Sequence, residues 1–389
     1  MAKKYLVIVL SIWFLPALLY AEDQARVDTL TYILSEIQVQ AARDMVTEAD
    51  APFSVFVRTR TPLEQNLEPG TSFAHLASGV PGLWINDRHN DALGERMSIR
   101  GMGWRAAFGV RGIQVLMDDI PLTVPDGQTV MDIVDPSMIQ QMEIIRGPSS
   151  SFWGNASGGT LFLSTRPASF EPLMRVRLYG GSHGTYHGLA SGTWLRDQRR
   201  YHVSASYLER DGFRDHSGHS ILRLSGSMEW NLSQESTLQF TGAFVDAPDT
   251  RHPGALTLDE INTDRTKAAD AFKNASAGKS WRQGQVGVRL QSETGAGLIR
   301  AGVYGISRSL HNPLPFADIE VDRWVAGSRI SLERQAESWW TWAVGVDASI
   351  QSDNRVNYAY AEDDFNRADR TIDQRETVLN GAGYVRAGT

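Results

Sequence analysis

From Leu173 onward, apolar residues in this 389-residue chain recur at every second position, and a period of two dictates strands. In YHVSASYLE, Tyr201, Val203, Ala205 and Tyr207 alternate with His202, Ser204 and Ser206. In WWTWAVGVDASIQ, Trp340, Trp342, Val344, Val346, Ala348 and Ile350 alternate with Thr341, Gly345, Asp347 and Ser349. The pattern returns at 222–232, 238–244, 286–290, 299–303 and 324–332, and about ten strands are expected in all. One face of each is apolar and the other carries Arg, Glu, Gln and Ser. Alternation alone fits a soluble sandwich, apolar face inward, as well as a membrane barrel, apolar face toward lipid.

The connections separate the two. Short links at 197–199, 233–236, 294–297 and 335–338 alternate with long ones at 211–219, 248–279, 312–322 and 353–375. Short turns on one rim and long loops on the other mark an outer-membrane barrel. Tyr207, Trp230, Trp324 and Trp339, near strand ends, suit an aromatic girdle. Such a barrel must close, because an open edge leaves backbone groups unpaired in hydrocarbon.

The start of the chain agrees with export. MAKKYLVIVLSIWFLPALLYA has two lysines, a short apolar run and a small residue at position 21, the pattern of a signal peptide over 1–21. No cysteine is present, so disulfides, thiol chemistry and a lipid anchor at the cleavage point are excluded. A formal charge of −7 argues against nucleic acid as a partner.

Residues 54–166 read differently, as a small mixed domain dense in glycine and proline. SFAHLASGV and VMDIVDPSMIQQ look helical; MSIRG, GIQVLMDDIPL and MEIIRG look like short strands. The stretch IRGPSSSFWGNASGG, 145–159, superficially resembles an active site. It lacks the G-x-S-x-G of a nucleophile elbow, and no lysine follows its glycines as a phosphate loop requires. Pro148 begins a turn, Gly154, Gly158 and Gly159 allow positive φ and close approach, and TLFLST continues as a strand.

These residues resemble the plug domain of the TonB-dependent outer-membrane receptors. The marks are LASGVPGLWI (76–85), SIRGMG (98–103), VLMDDIPL (115–122), PSMIQQMEIIRGPSSSFWGNASGGTLFLST (136–165) and YGGSHGTY (179–186), in the family's order. The resemblance implies a transmembrane antiparallel β-barrel with a mixed α/β plug in its lumen. The family's barrel has 22 strands, so about ten make the chain look like a receptor truncated at its C-terminus. The implied organisation is a signal peptide over 1–21, a periplasmic segment over 22–50, a plug over 51–170 and the first part of a barrel over 171–389.

The function implied is energy-coupled import of a metal chelate, a ferric siderophore first, with no catalytic residue, cofactor or resident metal. Cobalamin, another metal complex or an oligosaccharide is the alternative ligand; a passive porin or adhesin is the alternative of another class. The partners are TonB, outer-membrane lipid and the small-molecule chelate. Glu36, Ile37, Gln38, Val39, Gln40 and Ala41 resemble the TonB box, an extended segment that adds a strand to a partner sheet. Only residues 22–35 lie before it, too few for an added signalling domain. The plug apices are expected to offer Arg88, His89, Trp104, Arg105, Asp126 and Gln128 to an anionic, partly aromatic ligand. No second ligand at suitable spacing supports bare-metal binding by His89. By the same resemblance, Arg100 and Arg146 pair with wall carboxylates to lock the plug, a task suited to a permanently charged fork.

Overall fold

The computed structural model describes residues 43, 53–61, 71–87, 89–104, 109–166, 172–335, 340–361 and 365–388. The plug begins with β1 (Val55–Thr59), helix α1 (Phe73–Ala77) and the hairpin β2 (Leu83–Asn86) and β3 (Arg96–Ile99). It continues through β4 (Ile113–Met117), β5 (Ile120–Pro121), β6 (Gln141–Arg146), α2 (Ser150–Trp153) and β7 (Gly159–Ser164). Five of these strands form one sheet in the order β1-β6-β7-β4-β5, with β4 and β7 parallel.

β4 and β7 are buried along their whole length, which is why their apolar runs are continuous rather than alternating. Ile113, Val115, Ile144, Leu161 and Leu163 face one core; Leu116, Ile145 and Phe162 face a second on the opposite side. Each such side chain stabilises the sheet by roughly 1.5–3 kcal/mol. Gly159 enters β7 at φ +144°, where a Cβ would lie 2.3 Å from the Ile145 carbonyl oxygen. That crossing needs glycine, which explains part of the glycine-rich stretch without any chemistry.

The wall is a single sheet of ten strands, each hydrogen-bonded to the next in sequence. Its members are β8 (Leu173–Gly181), β9 (Thr185–Arg196), β10 (Arg199–Arg210), β11 (His219–Asn231) and β12 (Ser236–Arg251). Then come β13 (Gly278–Thr294), β14 (Gly297–Leu314), β15 (Ala317–Gln335), β16 (Thr341–Tyr360) and β17 (Arg367–Gly388). Its polarity is inverted relative to a soluble protein. On β10, Val203 and Tyr207 are 47% and 45% exposed while His202, Ser204 and Ser206 are buried. On β13 and β16, Val286, Val344 and Val346 face out while Gln283, Gln285, Gln351 and Asp353 are buried. An apolar outer face is stable only against lipid, which decides barrel over sandwich.

What the inner face buries is the plug. Leu208, Ile221, Val245, Ala247 and Trp281 of the wall belong to the same apolar cluster as Ile99, Val115 and Leu163 of the plug. Ile120 of β5 packs on Ile306 and Val325, and Gly287 leaves room for it: a Cβ there would lie 3.0 Å from Ile120 Cδ1.

Three expectations need correction. Residues 130–141 form no α-helix but one 3-10 turn, Pro136–Met138, capped by the Asp135 side chain on Ser137 N. Pro136 disfavours helical backbone at the preceding residue, and Met131, Ile133, Val134 and Ile139 reach the core from irregular chain. The long link expected at 312–322 is instead a two-residue turn, since β14 runs to Leu314 and β15 starts at Ala317. The link expected at 353–375 shrinks likewise between β16 and β17. At about 3.3 Å per residue these strands outrun the apolar band of roughly 25 Å. Pairing continues past the band, through Asn312–Ile319 and Leu314–Ala317 between β14 and β15 and through Tyr360–Arg367 between β16 and β17.

The link between β12 and β13 is long and folded. It carries α3 (Leu258–Thr263) and α4 (Asp270–Asn274). Arg214, from the β10–β11 link, donates to the carbonyls of Pro253, Gly254 and Lys267, fastening the two loops together.

Candidate functional site

The seam between plug and wall is built from plug acids and wall bases. Asp91 receives both arms of Arg210, at 2.7 and 2.5 Å. Asp132 pairs with Lys279 Nζ at 2.5 Å, while Arg223 Nε donates to its backbone oxygen at 2.9 Å. Asp135 Oδ2 lies 3.2 Å from His187 Nε2, and Asp126 lies 3.1 Å from Arg323, which also holds Asp353 at 2.6 Å. Burial opposes ionisation of Asp132 and Asp135, yet Lys279 for the first and His187 and Arg223 for the second hold both carboxyls below their ordinary range.

The hairpin turn of VLMDDIPL belongs to the same seam. Asp118 and Asp119 have φ of +48° and +75°, the geometry of a type I′ turn, which ordinarily takes Asn-Gly. Two aspartates hold it because both carboxylates are engaged. Asp118 accepts from Thr165 N and Oγ1 at 2.9 and 2.6 Å. Asp119 pairs with Arg289 at 2.8 Å and Arg166 at 3.6 Å, and its carbonyl accepts from Arg329 at 3.0 Å. Burial raises the Asp119 carboxyl, but Arg289 and then Arg166 outweigh it and keep the group ionised.

Nearer the long-loop rim, plug and wall border a cavity of about 350 Å³ of mixed lining, with Arg111, Asp126, Gln128 and Asp132 of the plug and Arg308, Arg323 and Arg355 of the wall as its main polar groups and Met131, Leu310, Ile319 and Val321 among its apolar ones. That volume lies within the range of small-molecule sites. Asp126 and Gln128 are brought together here: the Gln128 N–H donates to Asp126 Oδ1 at 2.7 Å, and Gln351 accepts from Asp126 N at 3.2 Å. His89 and Trp104 do not line this space. His89 is strongly exposed, its N–H bonded to Asp87, and Trp104 packs against Trp84 with ring centroids 4.1 Å apart and the rings tilted by 51°. Arg88, Arg105 and the six box residues lie outside the described residues.

At Arg43 the chain is tied to both bodies at once. Its guanidinium pairs with Asp347 of β16 and lies 4.2 and 4.6 Å from the ring centroids of Trp153 in the plug and Tyr384 in the wall. Arg100 is exposed at φ +49° and makes no ion pair with a described residue. Arg146 donates to the carbonyls of Pro81 and Val55, both within the plug. Across the described strands the lock therefore has the opposite sense, with acid on the plug and base on the wall. Sequence reading missed Asp91, Asp119, Asp132 and Asp135. The one signal that marks their partners is a basic residue at an inward position of an alternating strand, as with Arg289 and Arg323.

Burial moves one plug carboxyl, that of Glu95, to about 7. It accepts from Ser72 Oγ at 2.5 Å and from Phe73 N at 3.0 Å, bracing the start of α1. Burial, only partly offset by Ser72 and reinforced by Asp87, raises its carboxyl to about 7. The folded protein thus binds more protons than the unfolded chain between the ordinary value of 4.5 and about 7. Stability from this group is complete below that window and lost as pH rises through 7, a difference of order 2 kcal/mol after solvent screening. Melting temperatures at pH 5 and pH 8 are expected to differ less in Glu95→Gln than in the parent. An unchanged pH slope in that variant would remove Glu95 from the account.

The TonB-dependent Receptor Plug Domain family model matches residues 47–160. The ferrioxamine B receptor of Salmonella typhimurium is 25% identical over 166 residues, 42% of this chain and 22% of the relative. The vitamin B12 transporter of Vibrio vulnificus is 24% identical over 255 residues, 62% of this chain and 39% of the relative. The ferripyoverdine receptor of the outer membrane of Pseudomonas aeruginosa, bound to ferripyoverdine, shares the fold with a TM-score of 0.68 at 16% identity, covering 93% of this chain and 53% of that one. The chain thus spans about half the length of that solved structure and matches less than two-fifths of either curated relative.

Proposed function

We propose that this chain, which belongs to the TonB-dependent outer-membrane receptors, serves in energy-coupled import of a metal chelate, a ferric siderophore first. The observation that carries the reading is the plug seated on the inner face of the wall through Asp91, Asp119, Asp126 and Asp132. A solute following that inner face meets the plug, so passage requires the plug to shift or yield. Breaking buried ion pairs takes work, and the outer membrane holds no nucleotide supply. The work comes from TonB, gripping Glu36, Ile37, Gln38, Val39, Gln40 and Ala41 by strand addition.

The ligand enters from the long-loop rim. Arg88, His89, Trp104, Arg105, Asp126 and Gln128 receive it at the plug apices, and Asp126 and Gln128 already border a cavity of suitable size. Arg100 and Arg146 take wall carboxylates outside the ten strands described. Residues 1–21 are removed on export. The alternative kept for the test is cobalamin import, since a vitamin B12 transporter is among the relatives.

The test is uptake by cells producing the full-length protein, supplied with radiolabelled ferric siderophores or radiolabelled cyanocobalamin, with and without a proton gradient. Gradient-dependent iron uptake supports the first reading, and cobalamin uptake alone selects the second. Gradient-independent entry of small solutes would make the protein a porin.

A further inference from the structure

We infer that Arg308 of the wall is the docking point for an anionic, carboxylate-type group of the imported molecule, an assignment that rests on the import reading for its biological purpose. On β14 and β15, Arg308 stands directly opposite Arg323, two like charges at one cross-strand position, an arrangement that destabilises a sheet. Arg323 is neutralised by Asp353 and Asp126. Lys279 is neutralised by Asp132. Arg308 has neither relief: among the described residues it makes no hydrogen bond or ion pair, and its Nε is buried without a partner.

What Arg308 does have is a platform. Its guanidinium lies 5.3 Å from the ring centroid of Trp281, itself 3% exposed. A guanidinium held beside a ring keeps its N–H groups for other partners, and their fork binds a carboxylate bidentately. The side chain lines the cavity of about 350 Å³ described above, whose acids are engaged elsewhere: Asp126 and Asp353 with Arg323, Asp132 with Lys279, Glu95 with Ser72 and Phe73, and Glu376 with Gln374. A half-buried guanidinium that faces another cation and has no partner for its Nε costs stability, and an anion arriving in that cavity removes the cost. A positively charged or neutral ligand would not.

The test uses the full-length receptor in detergent, with citrate as probe and its uncharged trimethyl ester as control. Citrate is expected to shift tryptophan emission saturably, a response absent from Trp281→Phe, and the ester to have no effect. Equilibrium dialysis of radiolabelled citrate reads the same site without depending on the Trp281 variant. Arg308→Gln is expected to weaken citrate binding about tenfold or more, the worth of a charge-assisted bond, while Arg308→Lys retains most of it. Because it removes a like-charge opposition, Arg308→Gln is also expected to melt no lower than the parent.

Unchanged citrate binding in Arg308→Gln, or a lowered melting temperature with binding intact, would overturn the assignment and make Arg308 a structural residue. Loss of citrate binding in that variant, in cells that import no chelate, would sink the import reading and leave the anion site standing.

Discussion

Deleting Glu36 to Ala41 from the full-length receptor is expected to abolish uptake while leaving ligand binding at the cell surface unchanged. On the proposed reading the segment pairs with TonB by its backbone, so the deletion removes the whole connection to the energy source and nothing from the ligand cavity. Single hydrogen bonds contribute only about 1 kcal/mol net, so Gln38→Ala should matter little. Val39→Pro removes a donor and fixes φ in the middle of the added strand, and should approach the deletion in effect. Uptake and surface binding of one radiolabelled chelate, measured on the same cells, read both halves. Full uptake without the six residues would reject the box.

Asp119→Asn is expected to loosen the plug more than any other single change along the seam. Asparagine keeps the size of the side chain and tolerates the left-handed backbone that position 119 requires, so the substitution isolates the charge. It leaves Arg289 and Arg166, both less than a fifth exposed, without their shared carboxylate. Losing a charge-assisted bond of this kind costs about 1.5–3 kcal/mol, with Arg166 still beside Asp118 at 3.8 Å. Calorimetry of the purified protein should show an earlier plug transition, with faster protease cleavage of residues near 119. As a control, Asp249→Asn breaks a pair with Arg251 in which both side chains are about half exposed, and such pairs contribute little. Equal melting of Asp119→Asn and the parent would mean that packing alone, through Ile120 and its neighbours, seats the plug.

Legibility varied with the range of the interaction. MSIRG, MEIIRG and TLFLST were readable as strands because each is a local apolar run. VMDIVDPSMIQQ was misread because core-facing residues on irregular chain imitate a helical period. Asp126 and Gln128 were found from a turn sequence and do border the cavity. Asp91, Asp119 and Asp132 were passed over because an aspartate beside a turn has a sufficient local explanation. The polarity of the lock was unreadable for the same reason: its partners stand far off in sequence, 170 residues apart for Asp119 and Arg289.

The chain's own residues determined that its back half is strands, that the strands are amphipathic, and that a glycine-rich plug precedes them. They did so because period, turn chemistry and glycine geometry are properties of neighbours in the chain. The alternation of short and long links already pointed to a barrel with its apolar face toward lipid, while only the tertiary structure decided which plug residues the polar face covers and which bases answer which acids. Alternation defines two faces without saying which is covered, and strand register, a property of the assembled sheet, sets Arg323 against Asp353 and leaves Arg308 opposite another cation.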